Sequence, residues 1–553
     1  MCLGGIILAL ESPLANASAV CTTDVNYNAS KGGPVVAFYS TPSHYVDAKF
    51  KATTAASAKW EVRHDDIFPL GDAPHNYWSG YFTSRPSLKR QVRFASNFLN
   101  SARQMEVISG VTAEDVNHPT TRPSPPVGQS WTDSMEGAIG VATHHDGMSG
   151  TERQDVSDDY SQRISEGHFE VEAGVAKSLQ KLAGITEEIG HCNCNAAGNC
   201  LNMSMCAYTT GADEFTVLAW NPTGQKATNW LRIPVSGAAY SVTDLSSNAA
   251  VPSQATLIDN RTHELPLLYI NKFGMKAAQL AAEEAKLSNK ATHVLTFEAT
   301  TPPVGYSSFK VKKSAASDAV VTQPVATPST VSNGVYELTI NQAKGSIDSV
   351  KNLVSGVETT FNITWGYYVS SEGHATKTKL PNGTVETSGQ ASGAYMFRPD
   401  DQFTHACSAS QPTIEVTTGP LVTEIKQVFS SWATHIIRLT KGSPFIEVEW
   451  TAGPIPWNEG PPGKQGKELV VKFSSGLSSD GVYYTDSNGR EMLKRKRDAR
   501  GPSYPPFVIN EPVAENYCAV HCNPLDCLSS CLSLPALAHS ACKPTDRTFV
   551  QTR

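Results

Sequence analysis

Near Cys206 the hydrophobic period of the chain changes from three-and-four to two, and this switch constrains the fold more than any other feature. Beyond it, Phe215-Thr-Val-Leu-Ala, Leu231-Arg-Ile-Pro-Val, Val335-Tyr-Glu-Leu-Thr-Ile, Phe445-Ile-Glu-Val-Glu-Trp and Glu468-Leu-Val-Val-Lys-Phe alternate apolar with polar residues. Gly, Asn, Pro and Ser punctuate these runs, as expected of strands joined by turns. The pattern predicts an all-β region of roughly three hundred residues, enough for two or more antiparallel sandwiches. A helical stretch near Met275–Lys286 interrupts it.

Ahead of the switch the spacing is helical. Ser84 is placed to cap and Pro86 suits a first turn, after which Leu88, Val92, Ala95, Phe98, Leu99 and Ala102 share one face and Gly110 stops the helix. After the Pro-rich connection Pro119–Pro126, a second helix is predicted from near Thr132, with Met135, Ala138, Ile139, Ala142 and His145 on one stripe and His144 turned about 100° away. A third carries Val156, Tyr160, Ile164, Val171, Val175, Leu179 and Leu182, weakened in its middle by Gly167 and Gly174. Matching stripes predict a three-helix bundle. Earlier still, Pro34-Val-Val-Ala-Phe-Tyr reads as a buried strand of a parallel α/β sheet, and the Ser-Thr-Pro after it as a loop.

Composition removes several classes. At 553 residues the chain is too long for one ordinary core. Its net charge of −7 leaves no excess of basic residues to neutralise phosphates, so nucleic acid is excluded as the main partner. No apolar run approaches the ~18 residues of a membrane-spanning helix. Of the twelve cysteines, Cys192, Cys194, Cys200 and Cys206 form one group and Cys518, Cys522, Cys527, Cys531 and Cys542 another. Without paired C-x-x-C spacing, loop disulfides in an oxidising compartment are favoured over a zinc knuckle. Six N-x-S/T sequons, beginning at Asn16, Asn28, Asn202, Asn260, Asn362 and Asn382, permit a secretory route. Gly4–Leu10 and the small residues Ala15, Ala17 and Ala19 resemble a signal peptide, but no Lys or Arg precedes them.

Thr143-His-His-Asp-Gly-Met-Ser-Gly-Thr is the sharpest chemical constellation. A histidine on a buried stripe needs a carbonyl, a carboxylate or a metal as partner. An isolated one is more often a hydrogen-bonded core residue, but Asp146 and the Gly-Ser-Gly break favour a site at a helix end. Neutral imidazole is a preferred zinc ligand, yet one His cannot hold the ion, and H-E-x-x-H is absent. His64-Asp65-Asp66 repeats the H-x-D spacing, though adjacent carboxylates on a strand point to opposite faces. Trp78, with Tyr77, Tyr81 and Phe82, suits either a sugar-stacking platform or an aromatic core. Asp155, Asp158 and Asp159, like Lys494-Arg-Lys-Arg, read as solvated faces.

Several long matches in order then resemble one family. Asp65-Asp-Ile-Phe-Pro-Leu-Gly-Asp, Tyr77-Trp-Ser-Gly-Tyr-Phe-Thr-Ser-Arg-Pro and His144-His-Asp-Gly-Met-Ser-Gly-Thr resemble the central motifs of glycoside hydrolase family 38, the class II α-mannosidases. Trp220-Asn-Pro-Thr, Ser392-Gly-Ala-Tyr-Met-Phe-Arg-Pro, Glu449-Trp-Thr-Ala-Gly-Pro-Ile-Pro and Tyr484-Thr-Asp-Ser-Asn-Gly-Arg-Glu are similar to its lysosomal members, so the resemblance runs from about Gly33 to Tyr517. It implies a retaining, zinc-dependent α-mannosidase acting on terminal α-mannose of N-glycans in a lysosome, vacuole or secretory fluid. By motif position it makes His145 a zinc ligand, and Trp78, His144, Asp146 and Tyr395 substrate-binding residues, with Trp78 as the floor beneath the sugar.

The implied fold is an α/β remnant, a three-helix bundle and a large β-sandwich region, a multi-domain α+β chain. Its expected parts are an unassigned segment 1–32, the α/β remnant 33–75, the bundle 76–190, the sandwiches 206–517 and a Cys-rich tail 518–553. The family's nucleophile, acid/base and two further zinc ligands precede the segment that matches Gly33. The expectation is therefore a catalytically incomplete chain that contributes no catalytic carboxyl. The competing reading is a non-catalytic carbohydrate-binding or scaffold protein of the same descent.

Overall fold

The computed structural model describes residues 40–60, 78–116, 130–191, 204–264, 290–315, 324–325, 328–370, 376–379, 385–388, 392–396, 404–407, 411–456, 466–486 and 492–496. The expected strand at 34–39, the His64-Asp65-Asp66 motif, the helix near 275–286 and the tail from 518 lie outside these residues. The chain divides into two compact units, Met1–Asp66 and Ile67–Arg553. In the first, α1 (Pro42–Ala55) begins where the sequence suggested a loop. Thr41 caps it by accepting from the His44 amide at 3.3 Å, and Pro42 occupies the first turn, where its missing N–H costs nothing.

In the second unit, α2 (Pro86–Ser109), α3 (Asp133–Ala142) and α4 (Gln154–Ala183) bury one apolar core that includes Phe98, Met105, Trp131, Met135, Ile164 and Val171. Gly110 and Gly184 end α2 and α4 in left-handed conformation, which glycine adopts without a Cβ penalty. The glycines inside α4 are contact points. A Cβ on Gly174 would lie 2.2 Å from the ring of buried Trp131, and one on Gly167 would lie 2.8 Å from Met135 Cα. Two expectations need correction. The helix cap is Arg85, because the Ser84 hydroxyl is spent on the carbonyls of Gly80 and Ala394. And α3 closes at Ala142, so His145 lies beyond the stripe rather than on it.

The period-two region forms antiparallel sheets. Strands β1 (Glu214–Asn221), β2 (Ala227–Val235), β3 (Tyr240–Asp244), β4 (Ala249–Val251), β5 (Ser253–Leu257), β6 (His293–Thr301) and β7 (Gly305–Lys313) make two sheets, ordered β1-β7-β3-β4 and β2-β6-β5. Both sheets feed one core around Leu231, Leu295, Phe297, Phe309 and Val311. Trp220 of β1 turns instead into the helical core, which joins helices to sheets.

Next come β8 (Pro324–Val325), β9 (Thr330–Ser332), β10 (Tyr336–Asn341), β11 (Ser346–Asn352), β12 (Glu358–Val369), β13 (Thr376–Lys379), β14 (Val385–Ser388), β15 (His405–Ala406), β16 (Thr413–Thr417), β17 (Val422–Ser430), β18 (Ala433–Thr440), β19 (Glu447–Ala452), β20 (Lys467–Ser475), β21 (Val482–Asp486) and β22 (Met492–Lys496). Sheet β15-β12-β11-β10-β9, extended by β20 on β12, faces sheet β19-β18-β17-β16-β8 across a core of Leu338, Ile347, Val416, Ile425 and Ile437. No helix among the described residues is long and apolar enough to cross a membrane.

Candidate functional site

Three segments far apart in sequence meet beside the C-terminus of α3. The first is the turn from Trp78 to Arg85, the second the loop from Thr143 to Arg153, and the third the short segment 392–396. The Gly80 amide donates to the Tyr395 carbonyl at 2.9 Å, and the Ser84 hydroxyl donates to the Ala394 carbonyl at 2.8 Å. These bonds set the ring of Tyr395 edge-on to Trp78, with centroids 5.3 Å apart. Tyr395 Oη then donates to Asp146 Oδ1 at 2.8 Å, closing the three-way junction.

The loop after α3 is organised around Asp146. Thr151 Oγ1 donates to Asp146 Oδ1 at 2.9 Å, while the Thr151 and Glu152 amides donate to the Asp146 carbonyl at 3.1 and 3.2 Å. Hydrogen bonds from Tyr395 and Thr151 hold the Asp146 carboxyl below the usual carboxylate range, with the nearby imidazoles of His145 and His144 adding to the effect. Because Oδ1 is engaged, Oδ2 is left to face His144 Nε2 at 3.4 Å and His145 Nε2 at 3.9 Å.

His145 is not the buried helix-face histidine that its spacing suggests: its side chain is 87 % exposed. The helix stops three residues earlier, and His145 projects from the loop toward solvent. Exposure removes the need for an internal partner and leaves a ring nitrogen open to an external one. Donor atoms of His144, His145 and Asp146 all lie within 4.8 Å of one another. Two imidazole nitrogens and a carboxylate oxygen suit a divalent cation such as zinc, so the donor set fits the implied metal as a partial site.

The structure thus brings together Trp78, His144, His145, Asp146 and Tyr395. Tyr81 packs against Phe82, with centroids 5.0 Å apart, rather than joining the Trp78–Tyr395 pair. Reading the sequence missed Thr151, the second donor to Asp146, although the Asp-Gly-Met-Ser-Gly-Thr spacing marks a tight turn that can fold a hydroxyl back onto the carboxylate. It also missed Glu468 of β20. The Thr83 hydroxyl donates to Glu468 Oε1 at 2.6 Å, which anchors the Trp78 turn to the second sandwich; burial pushes that carboxyl up while this bond pulls it down. No local motif signals a partner 385 residues away.

Residues 76–182 match the α-mannosidase middle domain, and residues 331–508 match the C-terminal domain of the glycosyl hydrolases of family 38. The human lysosomal α-mannosidase is 32 % identical over 510 residues, covering 90 % of this chain and 44 % of that protein. A probable α-mannosidase of Arabidopsis thaliana is 32 % identical over 520 residues, covering 88 % of this chain and 45 % of its own. A crystal structure of an α-mannosidase from Enterococcus faecalis V583 aligns with 82 % of this chain and 49 % of that one, at 13 % identity and a TM-score of 0.45. The chain belongs to glycoside hydrolase family 38, the α-mannosidase family. It spans less than half the length of the curated relatives it matches.

Proposed function

We propose that the junction of Trp78, His144, Asp146 and Tyr395 is the mannose-binding part of a zinc-dependent, retaining α-mannosidase site that acts on terminal α-mannose of N-glycans. The observation that carries this reading is the Tyr395–Asp146 hydrogen bond beside the Trp78 ring. An aromatic ring, a phenol and a carboxylate side by side are the combination that a polyhydroxylated ring needs for stacking and hydrogen bonding. Oδ2 of Asp146, which also faces the two imidazoles, and the ring of His144 would accept from sugar hydroxyls.

In this proposal His145 is a ligand to the zinc ion, with Asp146 Oδ2 and His144 within reach. The ion supplies Lewis-acid polarisation of a bound oxygen. The three helices serve as the bundle that carries the site, and the sandwiches deliver Tyr395 to it. A lysosomal, vacuolar or secreted location fits the names of the relatives and the sequons.

Retaining hydrolysis requires two carboxyl groups about 5–5.5 Å apart across the scissile bond. No residue of the junction is proposed as either member of that pair, so the polypeptide of these 553 residues is proposed to bind sugar without cleaving it. The test is an aryl α-mannoside assay with added zinc. No release of the aryl group above background is expected, whereas turnover that His145→Ala abolishes would contradict the incomplete-site reading.

A further inference from the structure

Arg85 is a non-glycine residue in the left-handed region, with φ 51°, immediately before Pro86. Such a conformation is costly for an L-residue and persists where the surroundings enforce it. Here the enforcement is visible. The guanidinium donates through Nη2 to the Glu152 carbonyl at 2.8 Å and through Nη1 to Gln154 Oε1, and its Nε lies 3.2 Å from Glu152 Oε1. The Glu152 side chain is 2 % exposed, so its carboxylate is buried against this cation. Lys89, one turn into α2, donates to the Met148 carbonyl at 2.6 Å, and the charge of Glu152 offsets part of the burial that lowers the Lys89 ammonium.

These contacts grip the loop directly after the His144-His145-Asp146 run. The Glu152 amide, next to the carbonyl that Arg85 holds, donates to the Asp146 carbonyl. On the other side, Gly150 at φ 77° lies so close that a Cβ would sit 2.2 Å from the Ser84 carbonyl oxygen. Ser84 in turn bonds the Ala394 carbonyl beside Tyr395. Arg85 therefore stands where the Trp78 turn, the Asp146 loop and the Tyr395 segment converge.

We propose that Arg85, acting through buried Glu152, is a positioning residue that sets the Asp146 carboxylate against Tyr395 and Trp78. This rests on the mannose-site reading for its functional consequence, but not for its structural one.

Glycine accepts the left-handed turn without strain, so Arg85→Gly keeps the backbone and removes only the fork. In the full chain, Arg85→Gly is expected to speed hydrogen exchange of the Thr151 and Glu152 amides at least tenfold while leaving the α2 and α4 amides protected, with a lower melting temperature because the buried Glu152 carboxylate loses its cation. Calorimetric mannose affinity should fall at least tenfold, and Arg85→Lys, which keeps a charge beside Glu152, should recover part of it. Glu152→Gln, which preserves size and removes the charge, should loosen the same two amides and serves as the second variant should Arg85→Gly not fold. Wild-type exchange at Thr151 and Glu152 in these variants would overturn the proposal. If the unaltered chain takes up no mannose, the sugar reading fails separately and the exchange result still decides the role of Arg85.

Discussion

Asp146 has two carboxylate oxygens with different neighbours, and that asymmetry organises the site. Oδ1 accepts from Tyr395 and Thr151, so Oδ2 alone faces the two imidazoles. The residue types were readable from the His-His-Asp-Gly run, but their setting was not. A helical wheel extended past Ala142 buries His145, whereas the backbone has already left the helix. Tyr395 was identifiable by motif alone, since its contact with Asp146 spans 249 residues. A second histidine shows the opposite outcome. His435 is buried, and the Trp365 indole donates to its Nδ1 at 2.9 Å, so Nε2 carries the proton and donates to Gln427 Oε1 at 2.7 Å. Burial lowers its pKa to about 4. The unfolded chain, with an ordinary histidine near 6.5, binds the proton first on acidification. Stability from this site is therefore complete above about pH 6.5 and declines as pH falls toward 4, by up to roughly 3 kcal/mol. Urea unfolding across that range should show the slope, and His435→Gln should flatten it while lowering stability at pH 7 by about 1–2 kcal/mol.

Among elements, α4 shows why composition understates a helix. Gly167 and Gly174 lower its intrinsic propensity by about 1 kcal/mol each, yet it runs unbroken from Gln154 to Ala183. Their missing side chains are the room into which Met135 and Trp131 pack. Gly174→Ala, which raises propensity, should therefore destabilise the helical region by about 1–3 kcal/mol, because the new methyl meets the Trp131 ring. Tryptophan fluorescence during urea unfolding measures this. A gain in stability would mean that the ring is not held there. Period and stop signals made α2 legible to within a residue or two, and all five alternating runs quoted above overlap strands, although Val335, Phe445 and Ile446 precede theirs. The start of α1 was misread because Ser-Thr-Pro fits both a loop and a helix N-terminus; Thr41 and Pro42 use it as the latter. Sheet order was not legible, since alternation specifies a face and not a neighbour.

At the scale of the molecule, the two sandwiches are fastened by buried polar groups. Arg438 of β18 donates to Glu424 at 2.7 Å, to Glu447 at 2.6 Å and to Glu449 at 3.0 Å, and Arg232 of β2 reaches Glu447 and Glu449 from the other sandwich. Burial alone would lower Arg438, but the three carboxylates outweigh it and hold the guanidinium above its ordinary value. Gln254 of β5 adds a neutral tie, accepting from the Leu421 and Val422 amides and donating to the Val422 carbonyl. Arg438→Met should cost about 3–5 kcal/mol in chemical denaturation, since it removes the hydrogen-bonded cation of Glu424 and leaves Glu447 and Glu449 to Arg232 alone. This frame, with the Thr83–Glu468 bond, joins the sandwich region to the turn that carries Trp78. That turn, the Asp146 loop and Tyr395 are proposed to form one receptor for a sugar ring. Calorimetric titration of the 553-residue chain with mannose, in parallel with Trp78→Ala, tests it most directly. Saturable heat that the substitution reduces at least tenfold is the predicted result; no heat from either protein, or equal heat from both, would contradict it.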